Sequence, residues 1–139
     1  MKTRIIHTRF WQDSFVCQLS HKEKLFFAYL ITNDRVNIIG CYELPDKYIM
    51  ADLELTRQEL EKAKEKLHKA GKVLFKDGWI RIVNSDKYNS YNGEKLLKAR
   101  ENELSQAPKE LIEYKVSIDT SIHTSINRPN ILNERSRYF

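Results

Sequence analysis

The chain has 139 residues, which is enough for one domain of ordinary size and an appendage and excludes two large domains. Hydrophobic residues make up 41% and charged residues 31%, a composition that excludes disorder of the whole chain and predicts a modest core under a highly charged surface. The net charge of +5 is compatible with an anionic partner, and the longest apolar run, residues 25–31, is too short to cross a membrane.

The first residues and the cysteines indicate a cytoplasmic protein. Residues 1–7 are basic but lack the apolar stretch of a secretion signal. Cys17 and Cys41 match neither a zinc-ligand spacing nor a disulfide framework, so we expect two buried, reduced thiols.

The first part of the predicted domain consists of two helices and a strand. A brief helix is expected from about Asp13 to Leu19. Residues 20–23 read Ser-His-Lys-Glu, a capping box that starts a helix ending near Asn33. This helix is apolar enough to be the central core helix. Residues 38–43 are β-branched and aromatic, which predicts a strand.

Two more helices and a hairpin follow. Pro45 begins a short helix through Met50. Residues 56–59 form a second capping box, and the helix that it opens, from Arg57 to Ala70, has an apolar stripe and ends at a glycine. Residues 73–83 contain a central Asp-Gly pair between β-branched and aromatic flanks, the pattern of a hairpin with a type I′ turn.

This order predicts a mainly α fold with a small antiparallel β-sheet, namely a winged helix-turn-helix over residues 1–92. A helical arm is expected at 93–115, with a helix at 94–104 and a short helical piece at 109–114, and it either packs back or protrudes. Residues 116–139 contain a tetrapeptide repeat with isoleucine at every fourth position and are expected to be a flexible tail. The alternative is a segment that becomes ordered on a partner.

Several short segments carry a family resemblance. They are Phe10-Trp11, Leu19-Ser20 with Leu25-Phe26, residues 40–45, residues 67–73 leading into Trp79-Ile80, and residues 98–111. Together they resemble the amino-terminal region of phage replication-initiation proteins, the replisome organisers similar to DnaD. The resemblance covers roughly residues 4–115, and its motifs are structural rather than catalytic.

The resemblance implies a role in starting phage or plasmid DNA replication. Such a protein binds DNA and helps to recruit a helicase or helicase loader. A homo-oligomer of this chain is a further possible partner, apart from the resemblance. Family members usually carry a second helical domain beyond a polar linker. The chain is therefore expected to be either a truncated form or a small independent relative.

The candidate DNA-binding residues come from three segments. They are the predicted recognition helix from Arg57 to Ala70 with the lysine just after it, the wing, which is the hairpin at residues 73–83, and the basic amino-terminal arm at residues 2–9. In a winged helix the helix after the turn, here Arg57 to Ala70, enters the major groove, and the wing meets the phosphate backbone. Glu61 and Glu65 share the exposed face of that helix, so an exposed helix with alternating charge for solubility stays an open alternative. The candidates are Arg57, Gln58, Lys62, Lys69, Lys72, Lys76, Arg81, Lys2, Arg4 and Arg9.

The aromatic residues are assigned mainly to packing. Core positions are expected for Trp11, Trp79 and the pair Phe26-Phe27. Tyr88 and Tyr91 are the candidates for stacking on single-stranded DNA, although packing of the arm is the preferred interpretation.

Catalytic functions find no support in the sequence. The four histidines lack a metal-ligand spacing, four glycines form no phosphate-binding loop, and no nucleophile has a credible base. We therefore expect a binding protein without metal or cofactor, with duplex DNA preferred over single strands. Two alternatives remain: a protein-interaction or self-association module in replication, and a phage transcriptional regulator.

Overall fold

Short helices surround a three-stranded sheet in the computed structural model, which describes residues 2–85 and 93–113. The sequence prediction of a mainly α fold with a small antiparallel sheet, in the order of a winged helix-turn-helix, is confirmed. Residues 109–113 are helical as well. In chain order the elements are a 3₁₀ helix (Thr8–Gln12), α1 (Ser14–Cys17), α2 (His21–Thr32), β1 (Cys41–Glu43), α3 (Asp46–Leu53), α4 (Arg57–Lys69), β2 (Val73–Lys76), β3 (Trp79–Ile82) and α5 (Glu94–Gln106).

Side-chain caps start the helices where the sequence predicts them. Ser20 Oγ accepts a hydrogen bond from the Glu23 amide at 3.2 Å, and the Glu23 carboxylate accepts one from the Ser20 amide at 2.8 Å. Thr56 and Glu59 form the same reciprocal pair at 3.2 and 3.1 Å. Both predicted capping boxes are confirmed, and they fix the starts of α2 and α4.

The sheet has the strand order β1-β3-β2, with both pairs antiparallel. The hairpin turn has positive φ at Asp77 and Gly78, +49° and +81°, as a type I′ turn requires. β1 is shorter than predicted and begins only at Cys41. Asn37 causes this late start, because its side-chain amide bonds both the amide and the carbonyl of Cys41 and keeps the preceding residues out of the strand.

One face of the sheet and the helices form the main core. Tyr42, Val73 and Ile80 point to this face and are at most 3% exposed. The predicted core positions of Phe26 and Phe27 are confirmed, since both are at most 1% exposed. The other buried members include Phe10, Val16, Leu30, Leu44, Ile49, Leu60 and Leu67.

Two expected core residues lie at the surface instead. Trp11 is 60% exposed, because the 3₁₀ helix turns Phe10 into the core and leaves the indole outside it. The two rings meet edge to face, with the centroids of Phe10 and Trp11 4.9 Å apart. Cys17, at the end of α1, is exposed, whereas Cys41 is buried as expected. Trp79 is only partly buried.

The arm packs back on the opposite face of the sheet. Ala107 and Leu111 are 6% and 5% exposed and join a second core cluster with Leu74 of β2. The Glu103 carboxylate accepts hydrogen bonds from the amides of Ile38 and Ile39 at 2.9 and 3.2 Å. Of the two alternatives for the arm, packing is therefore the one observed for residues 103–111.

Some predictions fall outside the described residues. These are the stacking candidates Tyr88 and Tyr91, the isoleucine repeat and the tail. Over residues 2–85 and 93–113, no helix has the length and apolar character to cross a membrane.

Candidate nucleic-acid interface

Helix α4 is held by its apolar stripe and turns a polar face outward. Leu60, Ala63 and Leu67 are at most 2% exposed and fix the rotation of the helix against the core. Glu54, in the left-handed region at φ +53°, ends α3 and lets the chain turn into the Thr56 cap of α4. The outward face exposes four of the candidate DNA-binding residues: Arg57, Gln58, Lys62 and Lys69.

A groove of about 400 Å³ separates α4 from the hairpin. The α4 wall contributes side chains of both signs, including Glu61, Glu65 and Lys69, and the hairpin wall contributes Lys76 and Asp77. This is the position in which a winged helix places its recognition helix and wing side by side. The structure therefore brings the hairpin turn and the exposed face of α4 to one surface.

Ion pairs within the protein partly neutralise the cations of α4. Arg57 lies 2.7 Å from an Asp46 oxygen and 3.6 Å from Glu61, while Lys69 pairs with Glu65 one turn earlier. Lys62 has no ion pair with any residue in the described ranges. Its charge is therefore the most available one on this face.

Two carboxylates outside α4 form ion pairs with two further cations of this helix. Asp46 pairs with Lys64, and Glu23 pairs with Lys66. Burial acts to raise the pKa of Asp46, but the hydrogen bonds and charges of Lys64 and Arg57 outweigh it, so this pKa is lowered. Burial likewise opposes the lowering of the Glu23 pKa, which the Ser20 amide and Lys66 at 3.0 Å bring about. Both carboxylates are consequently ionised at neutral pH and hold α4 against α2 and α3.

The contacts of Glu23 with the Ser20 amide and with Lys66 predict that stability depends on pH in the acid range. Because the folded-state pKa of Glu23 lies below its ordinary value of 4.5, its contribution is present above that pH and is lost as the pH falls through the folded-state pKa. We expect Glu23→Gln to reduce the loss of unfolding free energy below about pH 4.5, measured by urea denaturation at several pH values. An unchanged acid slope in the variant would show that the Glu23 carboxylate does not make these two contacts in solution.

The wing contributes fewer free cations than the sequence predicts. Lys76 is exposed but pairs with Glu110 of the arm. Arg81 is only 3% exposed and donates a hydrogen bond to the Ile39 carbonyl. The prediction of Arg81 as a surface contact of the wing is wrong, because strand alternation places it between Cys41 and Leu74 on the face that the arm covers.

The remaining candidates lie away from the groove. Lys2 donates to the Asp34 carbonyl at 2.9 Å, and Arg4 donates to the Val36 carbonyl. Arg4 and Lys72 both line a second cavity that shares no lining residue with the groove. Arg9 is exposed on the 3₁₀ helix. The ten candidates therefore do not form one surface: four lie on the outward face of α4 and Lys76 lies on the hairpin, Arg81 is buried, and the other four lie away from the groove.

The residues that balance the charge of α4 have no local signal in the sequence. Asp46 lies 18 residues before its partner Lys64, and Lys22 pairs with Glu59 across 37 residues. Neither separation follows a helical or strand spacing, so no local pattern could have found them. Lys22 also adds an exposed cation beside the amino-terminal end of α4.

The described residues offer no group of three or more histidine, cysteine or acidic side chains that could hold a metal ion. Comparisons of the chain with protein-family models, curated proteins and solved structures found no match.

Proposed function

We propose that the chain is a duplex-DNA-binding module of a phage-type replication initiator. One observation carries this proposal: a capped helix, fixed by its buried stripe, exposes Arg57, Gln58, Lys62 and Lys69. One wall of the groove beside this helix is the turn of a β-hairpin, and Lys69 lines that groove. A helix of this kind fits the major groove, and its lysines and arginines neutralise phosphates.

In the proposed complex the residues of α4 have different tasks. Gln58 and Arg57, at the amino-terminal end of the helix, are placed to meet base edges. Lys62 and Lys69 contact phosphates, and Lys76 at the hairpin meets the backbone after exchanging Glu110 for a phosphate oxygen. Each exchange of an internal carboxylate lowers the net gain, so we expect moderate rather than tight binding.

The replication role is supported by the residues that resemble the phage initiators. Residues 40–45 and 67–80 form the strand, the end of α4 and the hairpin that frame the candidate interface. In this role the protein would act on DNA in the cytoplasm of a bacterial host and cooperate with a helicase or its loader.

A salt titration tests the DNA-binding proposal. With three phosphate contacts, from Lys62, Lys69 and Lys76, we expect log Kd for a fluorescein-labelled duplex to change with log salt concentration with a slope of about 3, measured by fluorescence anisotropy. A single strand of the same length should bind more weakly. Absence of binding to the duplex in dilute buffer would refute the proposal.

A protein-docking function is the second candidate, and the charge pattern of α4 favours it. Glu61 and Glu65 are exposed on the wall of the groove, where they would repel phosphates but could pair with cations of another protein. Replacing both by glutamine separates the two functions. The double variant should bind duplex DNA more tightly if α4 enters the groove of DNA, and should lose self-association in sedimentation velocity if α4 is a docking face.

A further inference from the structure

A second cavity, of about 290 Å³, lies on a different part of the molecule from the proposed DNA surface. Its walls come from the amino-terminal segment at residues 3–7, from α2, from residues 36–37, and from the chain around the end of β3. None of its lining residues belongs to the groove between α4 and the hairpin. The cavity therefore needs an explanation of its own.

One side of this cavity is apolar. Phe27 and Val36 line it and are otherwise buried, at 1% and 5% exposure. Ile31 of α2 and Ile82 of β3 complete the apolar wall and pack against the main core. Such a wall favours a ligand with a hydrocarbon or aromatic body over a bare inorganic ion.

The polar side of the cavity carries basic side chains and side-chain amides. Arg4, His7 and Lys72 line it, and no aspartate or glutamate is found among its described lining residues. The guanidinium of Arg4 donates to the Val36 carbonyl through one terminal nitrogen, but its Nε is buried and has no hydrogen-bond acceptor among the described residues. Because Arg4 lines the cavity, its guanidinium can donate charge-assisted hydrogen bonds to an anionic group bound there.

We propose that this cavity binds a small organic anion with an apolar body. The acidic group lies against Arg4 and Lys72, and the body packs on Phe27, Val36 and Ile82. This ligand site is independent of the proposed DNA surface, so either can fail without the other.

The test is a titration of the ¹⁵N-labelled full chain with phenylacetate, followed by NMR. We expect saturable shifts of the amides of Asn37, Ile82 and Ser85, with a dissociation constant on the order of millimolar for so small a ligand. Phenethyl alcohol, which keeps the ring but lacks the charge, should bind about tenfold more weakly. Inorganic phosphate, which lacks the apolar body, should also bind about tenfold more weakly.

Matched variants locate the site. Arg4→Gln and Lys72→Gln should each weaken phenylacetate binding about fivefold. Lys98→Gln, which removes the same charge from an exposed position on α5, should leave it unchanged. If Arg4→Gln disturbs the fold, as judged from amide shifts in α4, the phenylacetate affinity of Lys72→Gln is compared with that of Lys98→Gln instead.

Three results would overturn the proposal. They are the absence of a saturable shift with phenylacetate, equal binding of inorganic phosphate, and wild-type affinity in both cavity variants. Duplex DNA affinity, measured on the same samples, reports separately on the surface of α4.

Discussion

Replacing Lys62 and Lys69 together by glutamate is expected to lower the affinity for duplex DNA about 100-fold in dilute buffer. Both side chains are exposed on the outward face of α4, and Lys62 has no ion pair within the described part of the chain. The change replaces two attractions to phosphate by two repulsions. Fluorescence anisotropy with the labelled duplex measures the loss, and the slope of the salt dependence should fall by about 2.

Helix α5 provides the matched control for this double variant. Lys95 and Lys98 are exposed there, and glutamate at both positions changes the net charge of the protein by the same amount. DNA affinity should change little, because α5 lies outside the groove between α4 and the hairpin. Equal losses in the two double variants would mean that net charge, and not the face of α4, determines binding.

Gly40→Ala is expected to reduce the free energy of unfolding by about 2 to 4 kcal/mol. Gly40 has φ +65°, and a Cβ atom there would lie 2.2 Å from Ser85 Oγ and 2.4 Å from Ser85 Cβ. The substituted residue would combine an unfavourable backbone conformation with a contact that requires the chain around Ser85 to move. Urea denaturation measures the loss.

Gly78→Ala separates the two contributions. Gly78 also has positive φ, +81°, but a Cβ atom there would meet nothing within 4 Å. Its substitution should therefore cost only the conformational term, about 1 kcal/mol. If the two variants lose the same stability, the close approach between Gly40 and Ser85 does not exist in solution.

Local signals in the sequence predict the local features of this fold. The capping boxes at Ser20 and Thr56 and the hairpin turn at Asp77-Gly78 each depend on residues within four positions of one another, and the structure has all three. These signals fix the starts of α2 and α4 and the place of the wing. The rotation of α4 follows as well, because its apolar stripe has a helical period.

Features that depend on distant parts of the chain could not be predicted in the same way. The burial of Arg81 results from an arm that begins after the hairpin and returns to cover its strand. The charge of α4 depends on Asp46 and Glu23, which belong to other helices. Alternation along β3 shows that Arg81 faces away from the main core, but not that another segment covers that face.

The early segment around Trp11 shows the limit of composition as a guide. A tryptophan beside a phenylalanine favours burial of both, yet a 3₁₀ helix of five residues can turn only one of them inward. Phe10 takes the inner position, and the neighbouring Cys17 thiol donates to the Trp11 carbonyl at the surface. The direction of such a short segment is set by its packing and not by its sequence.

The return of the arm onto the second face of the sheet limits how this molecule can be shortened. A fragment ending after β3 would keep every helix of the winged helix-turn-helix and yet leave Ile39, Leu74 and Val83 in contact with water. It would also leave the backbone amides of Ile38 and Ile39, just before β1, without the Glu103 carboxylate that accepts their hydrogen bonds. The smallest piece suited to expression and crystallisation therefore runs through Leu111, well beyond the boundary that the helix and strand order alone would suggest.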